Sequence, residues 1–137
     1  MVWPDPVATL IASVAAFMFG AIYYTALAGP WRRAAGVSAE DARQTPAGLV
    51  AIFVLTALIV AGVGWLLATI GIINSVPSGV IVMAMAWLTL VFAPIALNYR
   101  AQRRSPVLTA IDTLYWLLVI EIATLIHIYW AGAPKFS

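Results

Sequence analysis

The sequence predicts an all-α integral membrane protein, a bundle of four transmembrane helices with both termini on the non-cytoplasmic side. Three observations predict this fold class. Hydrophobic residues make up 64% of the chain and charged residues only 9%, whereas soluble domains carry roughly 25% charged residues. Four apolar runs, at residues 7–28, 49–73, 80–97 and 107–130, are each near or above the roughly 20 residues that span a bilayer. Basic residues cluster in two of the segments that connect these runs.

The runs are continuously apolar, which indicates helices, because lipid offers no hydrogen-bond partners to the backbone of an open strand. Residues that end or begin helices separate them. These are Gly29 and Pro30 after the first run, Thr45 and Pro46 before the second, the turn of residues 74–79, and Ser105 and Pro106 before the fourth. No connecting segment is long enough to divide the chain, so residues 1–137 are expected to form a single domain.

The basic residues predict the orientation. All six arginines lie in the first and third connecting segments, and the opposite side carries only Lys135. The arginines are Arg32, Arg33 and Arg43 in the first segment and Arg100, Arg103 and Arg104 in the third. Cytoplasmic loops are enriched in Lys and Arg. We therefore expect a multi-pass protein of the bacterial cytoplasmic (inner) membrane, with both arginine-rich loops in the cytoplasm.

Small residues and one proline predict how the spans pack and bend. Small side chains recur every fourth position on two spans, a spacing that lets helix backbones approach closely in lipid. They are Ala12, Ala16 and Gly20 on the first span and Gly64 and Ala68 on the second. Pro94 interrupts the third run and is expected to kink it, because proline removes one backbone hydrogen bond.

Three ionisable side chains, Asp112, Glu121 and His127, lie within the fourth run. Such residues are costly in lipid and often mark functional sites. Glu121 lies about 22 Å beyond Pro106 at 1.5 Å per residue, slightly past the bilayer middle. The low dielectric there disfavours the charged form, and a neutral Glu121 can donate a hydrogen bond to a neighbouring helix. Asp112 and Glu121 lie on opposite helix faces at about 100° per residue, which argues against a shared acid–base or metal site.

Two further interpretations of the fourth run stay open. Thr124 lies one turn from both Glu121 and His127, so these three side chains can form a polar ladder. His127 is interpreted first as an interfacial histidine bonded to water or a lipid headgroup. The alternative is that it ligates the metal of a tetrapyrrole. Apart from that alternative we expect no cofactor and no metal.

Signatures of enzymes are missing from the sequence. It contains no cysteine, no glycine-rich phosphate loop, no nucleophile elbow and no paired metal motif. We therefore expect a protein that is not an enzyme. The net charge of +2 gives no reason to expect nucleic acid as a partner.

Short motifs along nearly the whole chain resemble one known family. The first span ends in Phe19-Gly20-Ala21-Ile22-Tyr23-Tyr24, and the next loop reads Pro30-Trp31-Arg32-Arg33-Ala34-Ala35-Gly36-Val37-Ser38, followed by Glu40 and Asp41. Later come Ala93-Pro94, Asn98 and Ile111-Asp112-x-x-Tyr115. This pattern resembles a bacterial membrane family catalogued as domain of unknown function 1761. The resemblance implies four helices in one small domain, and no activity is assigned to that family.

Asp112 is the centre of a predicted polar cluster. A carboxylate one or two turns inside a membrane helix can pair with arginines of the adjoining loops. The predicted cluster comprises Asp112, Tyr115, Asn98, Arg100, Arg103 and Arg104, with Asn98 capping the end of the third helix. We interpret it as a structural latch.

Two classes of function are consistent with the sequence. The first is a non-catalytic structural or accessory subunit that packs against a larger membrane complex, for example an energy-transducing or pigment complex. The alternative is a small oligomeric transporter or channel for protons, ions or solutes that uses Glu121. The expected partners are membrane lipid and other membrane protein subunits or further copies of the chain.

Overall fold

The structure, a computed structural model, describes residues 3–132, and every regular element in that range is helical. The elements are α1 (Pro6–Ala26), α2 (Ala28–Ala35), α3 (Pro46–Ile70), α4 (Val76–Trp87), a π-helical turn (Leu88–Phe92), α5 (Ala93–Ala101) and α6 (Pro106–Gly132). Four helices are long and apolar enough to cross a membrane: α1, α3, the continuous third span Val76–Ala101, and α6. The predicted all-α fold with four membrane spans is confirmed. Lys135 lies outside the described residues.

Two of the predicted helix starts have the expected hydrogen bonds. The Thr45 hydroxyl accepts from the Gly48 N–H at 3.0 Å, and Pro46 is the first residue of α3. The Ser105 hydroxyl accepts from the Val107 N–H at 3.2 Å at the start of α6. These bonds satisfy first-turn amides that have no partner within the helix.

The first span ends differently from the sequence-based expectation. The predicted stop, Gly29 and Pro30, lies inside α2, and the break falls instead at Leu27, whose φ of −101° and ψ of 13° leave helical geometry. Pro30 is tolerated because it occupies the first turn of α2, where the N–H that proline lacks would have no helical partner. The break directs α2 across the end of the bundle, where it packs against α1 and α6.

The third span is longer than its apolar run, since α4 begins at Val76 within the predicted turn. The kink expected from Pro94 takes the form of the π-helical turn just before it. Pro94 has no N–H to offer the Leu90 carbonyl, and the Ala93 N–H donates to Leu88, five residues back. One extra residue is thereby accommodated without leaving helical geometry.

The fourth span is the centre of the molecule. Half of its most apolar window is buried, against 6% for the third span. α6 packs against α1, α3 and the third span, and α1 also packs against α3, whereas the third span packs mainly on α6. Small residues lie at the closest approaches: Ala12, Ala16 and Gly20 of α1 are buried, as are Gly64 of α3 and Gly79 of α4.

Candidate functional site

The Asp112 carboxylate on α6 accepts hydrogen bonds from three aromatic side chains of three other segments. The Tyr24 hydroxyl of α1 donates to Oδ1 at 2.9 Å, and the Trp31 indole N–H of α2 donates to the same oxygen at 3.0 Å. The Tyr99 hydroxyl of α5 donates to Oδ2 at 2.8 Å. Hydrogen bonds to an ionised group are stronger than neutral ones, so this residue fastens α1, α2 and α5 to α6. We call these four residues the Asp112 cluster.

Aromatic rings surround the Asp112 cluster. Tyr115, one turn along α6 from Asp112, packs against Tyr24 with ring centroids 4.9 Å apart and against Trp116 at 5.0 Å. The Tyr23 hydroxyl donates to the Ile111 carbonyl at 2.8 Å. The rings thus cover part of the surface around the partly buried Asp112.

Glycine in α1 is required for this packing. A Cβ built on Gly20 would lie 2.8 Å from the Tyr115 hydroxyl oxygen and 3.2 Å from its ring. Any larger residue would push Tyr115 away from α1 and from Tyr24. The predicted role of Gly20 in close helix approach therefore has a specific partner.

Of the predicted latch residues, Asp112 and Tyr115 lie close together in the structure. The donors to Asp112 are Tyr24, Trp31 and Tyr99 instead of the predicted arginines. Within residues 3–132 no arginine forms an ion pair with Asp112, and its acceptors are occupied by the three aromatic donors. Arg100, Arg103 and Arg104 are exposed, and so is Asn98, whose carbonyl accepts from the Gln102 N–H at 3.0 Å. Long cationic side chains at helix ends extend toward the membrane surface, whereas the tyrosine and indole donors reach inward.

Both arginine-bearing segments lie at one end of the bundle. Trp31 directly precedes Arg32 and Arg33, Tyr99 directly precedes Arg100, and Trp31 and Tyr99 donate to the same carboxylate. We call this end the arginine end. It comprises Arg32, Arg33, Arg100, Arg103 and Arg104.

Glu121 differs from Asp112 in its hydrogen bonding. Both of its carboxyl oxygens are buried and have no hydrogen-bond partner among residues 3–132. The residue as a whole is partly exposed on α6. The predicted polar ladder does not form: neither Glu121 oxygen bonds to Thr124, whose hydroxyl donates to the Ile120 carbonyl at 2.8 Å, and His127 bonds to Val60.

His127 is buried between α6 and α3, and 2% of it is exposed. Its Nε2 lies 3.2 Å from the Val60 carbonyl, so the Nε2–H tautomer donates to that oxygen. A Cβ on Gly64 would lie 2.5 Å from the ring. The imidazole therefore fills the space that Gly64 leaves and is not in the interfacial position predicted for it.

The tetrapyrrole alternative does not fit this arrangement. A metal bound at Nε2 would displace the bond to Val60, and the ring faces α3 rather than an open cleft. Among residues 3–132 no group of three His, Cys, Asp or Glu side chains could hold a metal ion.

Sequence reasoning identified Asp112 but missed the other three members of the cluster, Tyr24, Trp31 and Tyr99. Tyr115, which it did name, packs beside them against Tyr24. Tyr24 and Trp31 lie 88 and 81 residues from Asp112, and Trp31 and Tyr99 have the positions of ordinary interfacial aromatics. The sequence feature that could have indicated Tyr24 and Trp31 is their position in the family motifs. Trp31 and Tyr24 belong to the stretches that resemble the known family, as Asp112 does.

Four helices long and apolar enough to cross a membrane, three of them joined through one carboxylate, define a small polytopic membrane protein. The chain belongs to the family described as "Protein of unknown function (DUF1761)", whose model matches residues 7–128. No curated protein and no solved structure matches it.

Proposed function

We propose that the chain is a non-catalytic accessory subunit of the bacterial cytoplasmic membrane, and that Glu121 contacts a partner membrane protein. One observation carries the proposal: both Glu121 carboxyl oxygens are buried and lack a hydrogen-bond partner among residues 3–132. Buried polar groups are almost always hydrogen-bonded, and leaving one unpaired in an apolar medium costs on the order of 1–3 kcal/mol.

The position of Glu121 favours a partner from outside the chain. It lies about 22 Å along α6 from Pro106, deep in the apolar layer, where lipid tails offer no hydrogen bond. Its side chain is partly exposed at the surface of the bundle, so a change of rotamer presents the carboxyl to an adjacent helix. The neutral acid can donate to a carbonyl, hydroxyl or amide of that helix, an interaction worth about 1–2 kcal/mol in membranes.

The other two ionisable side chains of the span, Asp112 and His127, form hydrogen bonds within the chain. Asp112 joins four segments, and His127 and Thr124 bond to backbone carbonyls. Glu121 is therefore the intramembrane residue available for an intermolecular role. The third span packs mainly on α6, which leaves its other faces to lipid or to a neighbouring subunit of a larger complex or a second copy.

The alternative is a small oligomeric proton, ion or solute transporter that uses Glu121. A titratable carboxyl without a hydrogen bond can take up and release a proton as its surroundings change. The π-helical turn of the third span supports this alternative, because π-helical turns often occur at functional sites. One copy of four helices encloses little space, so a path would need several copies.

Two substitutions at Glu121 separate the candidates. Glu121→Gln keeps the shape and a hydrogen-bond donor, whereas Glu121→Leu removes both. For an accessory subunit we expect Gln to retain stoichiometric co-purification with the partner in mild detergent and Leu to lose it. Ile122→Leu, next to Glu121, is the matched control and should co-purify normally.

A transporter gives a different pattern. Glu121→Gln should then abolish proton- or ion-driven flux in proteoliposomes while the protein still folds. That result would reject the accessory role, as would a Glu121→Leu protein that co-purifies with all partners of the wild type.

A further inference from the structure

The arginine end concentrates positive charge that the chain does not neutralise. Among residues 3–132 none of its arginines forms an ion pair. Arg33, Arg100, Arg103 and Arg104 are exposed, and Arg32 is partly buried, with its Nε donating to the Ala28 carbonyl at 3.3 Å. The nearby acid Asp41 accepts from the Ser38 hydroxyl at 2.7 Å.

The Asp112 cluster fixes these arginines relative to one another. Because the Trp31 indole and the Tyr99 hydroxyl bind one carboxylate, α2 and the end of α5 are both anchored to the same residue of α6. Beyond Tyr99 the chain turns sharply: the Arg104 N–H donates to the Tyr99 carbonyl at 2.8 Å, and Arg103 has a φ of 55°. Two separate segments thus present arginines at the same end of the bundle.

Apolar surface adjoins the arginine end. Leu97, three residues before Arg100 and therefore its neighbour on the helix, is 70% exposed, and Leu90 is 73% exposed. Only 6% of the most apolar window of the third span is buried in the bundle. A cationic end directly next to an exposed apolar helix face matches a phospholipid, whose charged headgroup is joined to acyl chains.

We propose that the arginine end is a binding site for an anionic phospholipid. Arginines of α2, of the last turn of α5 and of the segment after α5 hold the headgroup phosphate, for which guanidinium groups are well suited, and an acyl chain lies along the third span. This inference concerns a different surface from Glu121 and does not depend on the proposed function.

Native mass spectrometry of the protein in neutral detergent tests the proposal. We expect phosphatidylglycerol or cardiolipin to remain bound at activation energies at which phosphatidylcholine is lost. In the triple variant Arg100→Gln/Arg103→Gln/Arg104→Gln the affinity for the anionic lipid should fall at least about tenfold, since each arginine near an anionic headgroup contributes to binding. Arg43→Gln changes an exposed arginine of the loop before α3 that is not one of the five residues proposed to form the site. It is the control and should bind the lipid nearly as the wild type does.

Two further measurements separate other outcomes. Inorganic phosphate at millimolar concentration should leave the lipid bound; displacement would show that the site takes free phosphate instead. Equal retention of phosphatidylcholine and phosphatidylglycerol by the wild-type protein would overturn the proposal, and that comparison needs no variant to fold. Binding by the triple variant that equals the wild type would also overturn it.

Discussion

At the scale of single residues, Gly64 of α3 lies directly against the His127 imidazole of α6. A Cβ at Gly64 would lie 2.5 Å from the imidazole. Gly64→Ala should therefore displace the ring, weaken its bond to Val60 and destabilise the protein by about 1–3 kcal/mol, the usual cost of overpacking. Thermal unfolding in detergent measures the effect.

Gly62 provides a matched control on the same helix. It is exposed, and nothing lies within 4 Å of a Cβ built there. Gly62→Ala should leave stability unchanged or raise it by up to about 1 kcal/mol, because alanine favours helix more than glycine. Equal losses in the two variants would show that His127 does not pack against Gly64.

The Asp112 cluster predicts energetic coupling between specific pairs. Tyr99→Phe removes one donor to the carboxylate and should cost about 1–2 kcal/mol, between the usual contributions of a neutral hydrogen bond and of one to a charged group. In an Asp112→Asn background the same change should cost clearly less. Tyr129→Phe, exposed on α6 beyond His127, should be neutral in both backgrounds.

The same cycle with Arg100 discriminates the observed cluster from an arginine latch. Because Asp112 is held by aromatic donors, Arg100→Gln and Asp112→Asn should be additive within a few tenths of a kcal/mol. Strong coupling of Arg100 to Asp112, with none for Tyr99, would favour the ion pair expected from the sequence.

The sequence predicted the importance of Asp112 but not its hydrogen-bond partners. The cost of a carboxylate in a membrane span is a local property, so Asp112 could be identified from its own segment. The choice among partners depends on tertiary placement. Arginines are near in sequence, but Tyr24 reaches the carboxylate because α1 packs against α6, and Trp31 reaches it because the chain breaks at Leu27 and lays α2 across α6.

At the scale of elements, the turn that follows α5 contains a residue with strained backbone, Arg103. Arg103 has a φ of 55°, in the left-handed region, in a helix-ending motif with backbone bonds from Arg103 to Arg100 and from Arg104 to Tyr99. Glycine is the usual residue at this position. Arg103→Gly should raise stability by about 0.5–1 kcal/mol in a detergent unfolding titration, because glycine adopts this conformation without steric cost.

Two neighbouring substitutions test this interpretation. Arg103→Ala removes the same charge without relieving the backbone and should give no gain. Gln102→Gly lies at a φ of −83°, where glycine only adds freedom to the unfolded chain, and should lower stability. A stabilising Gln102→Gly would argue against the assigned conformation.

Element boundaries show a second limit of the sequence. Pro94 and Pro30 were recognised as irregularities because proline lacks an N–H, but the local result depends on context. Before Pro94 a π-helical turn accommodates the lost hydrogen bond. At Pro30 the loss does not matter, because α2 begins only two residues earlier and first-turn N–H groups have no partner within the helix. The four spans were predictable because a run of about 20 apolar residues has few alternatives in lipid.

At the scale of the whole molecule, the two ends of the helix bundle differ in charge. Both arginine-bearing segments meet at the Asp112 cluster, whereas the turn between α3 and α4, which contains exposed Asn74, lies at the opposite end. Loops rich in Arg and Lys are retained in the cytoplasm. The arginine end is therefore expected to face the cytoplasm, and both termini the other side.

Cysteine labelling in intact cells tests this orientation without interference, because the chain has no cysteine of its own. Ala39 and Asn74 are exposed and lie in the segments after α2 and α3, and neither side chain takes part in a helix cap. Asn74→Cys should react with a membrane-impermeant maleimide, and Ala39→Cys should react only after the membrane is permeabilised. Labelling of both after permeabilisation controls for accessibility. Reaction of Ala39→Cys alone in intact cells would mean that the bundle is inserted the other way, with its arginines outside.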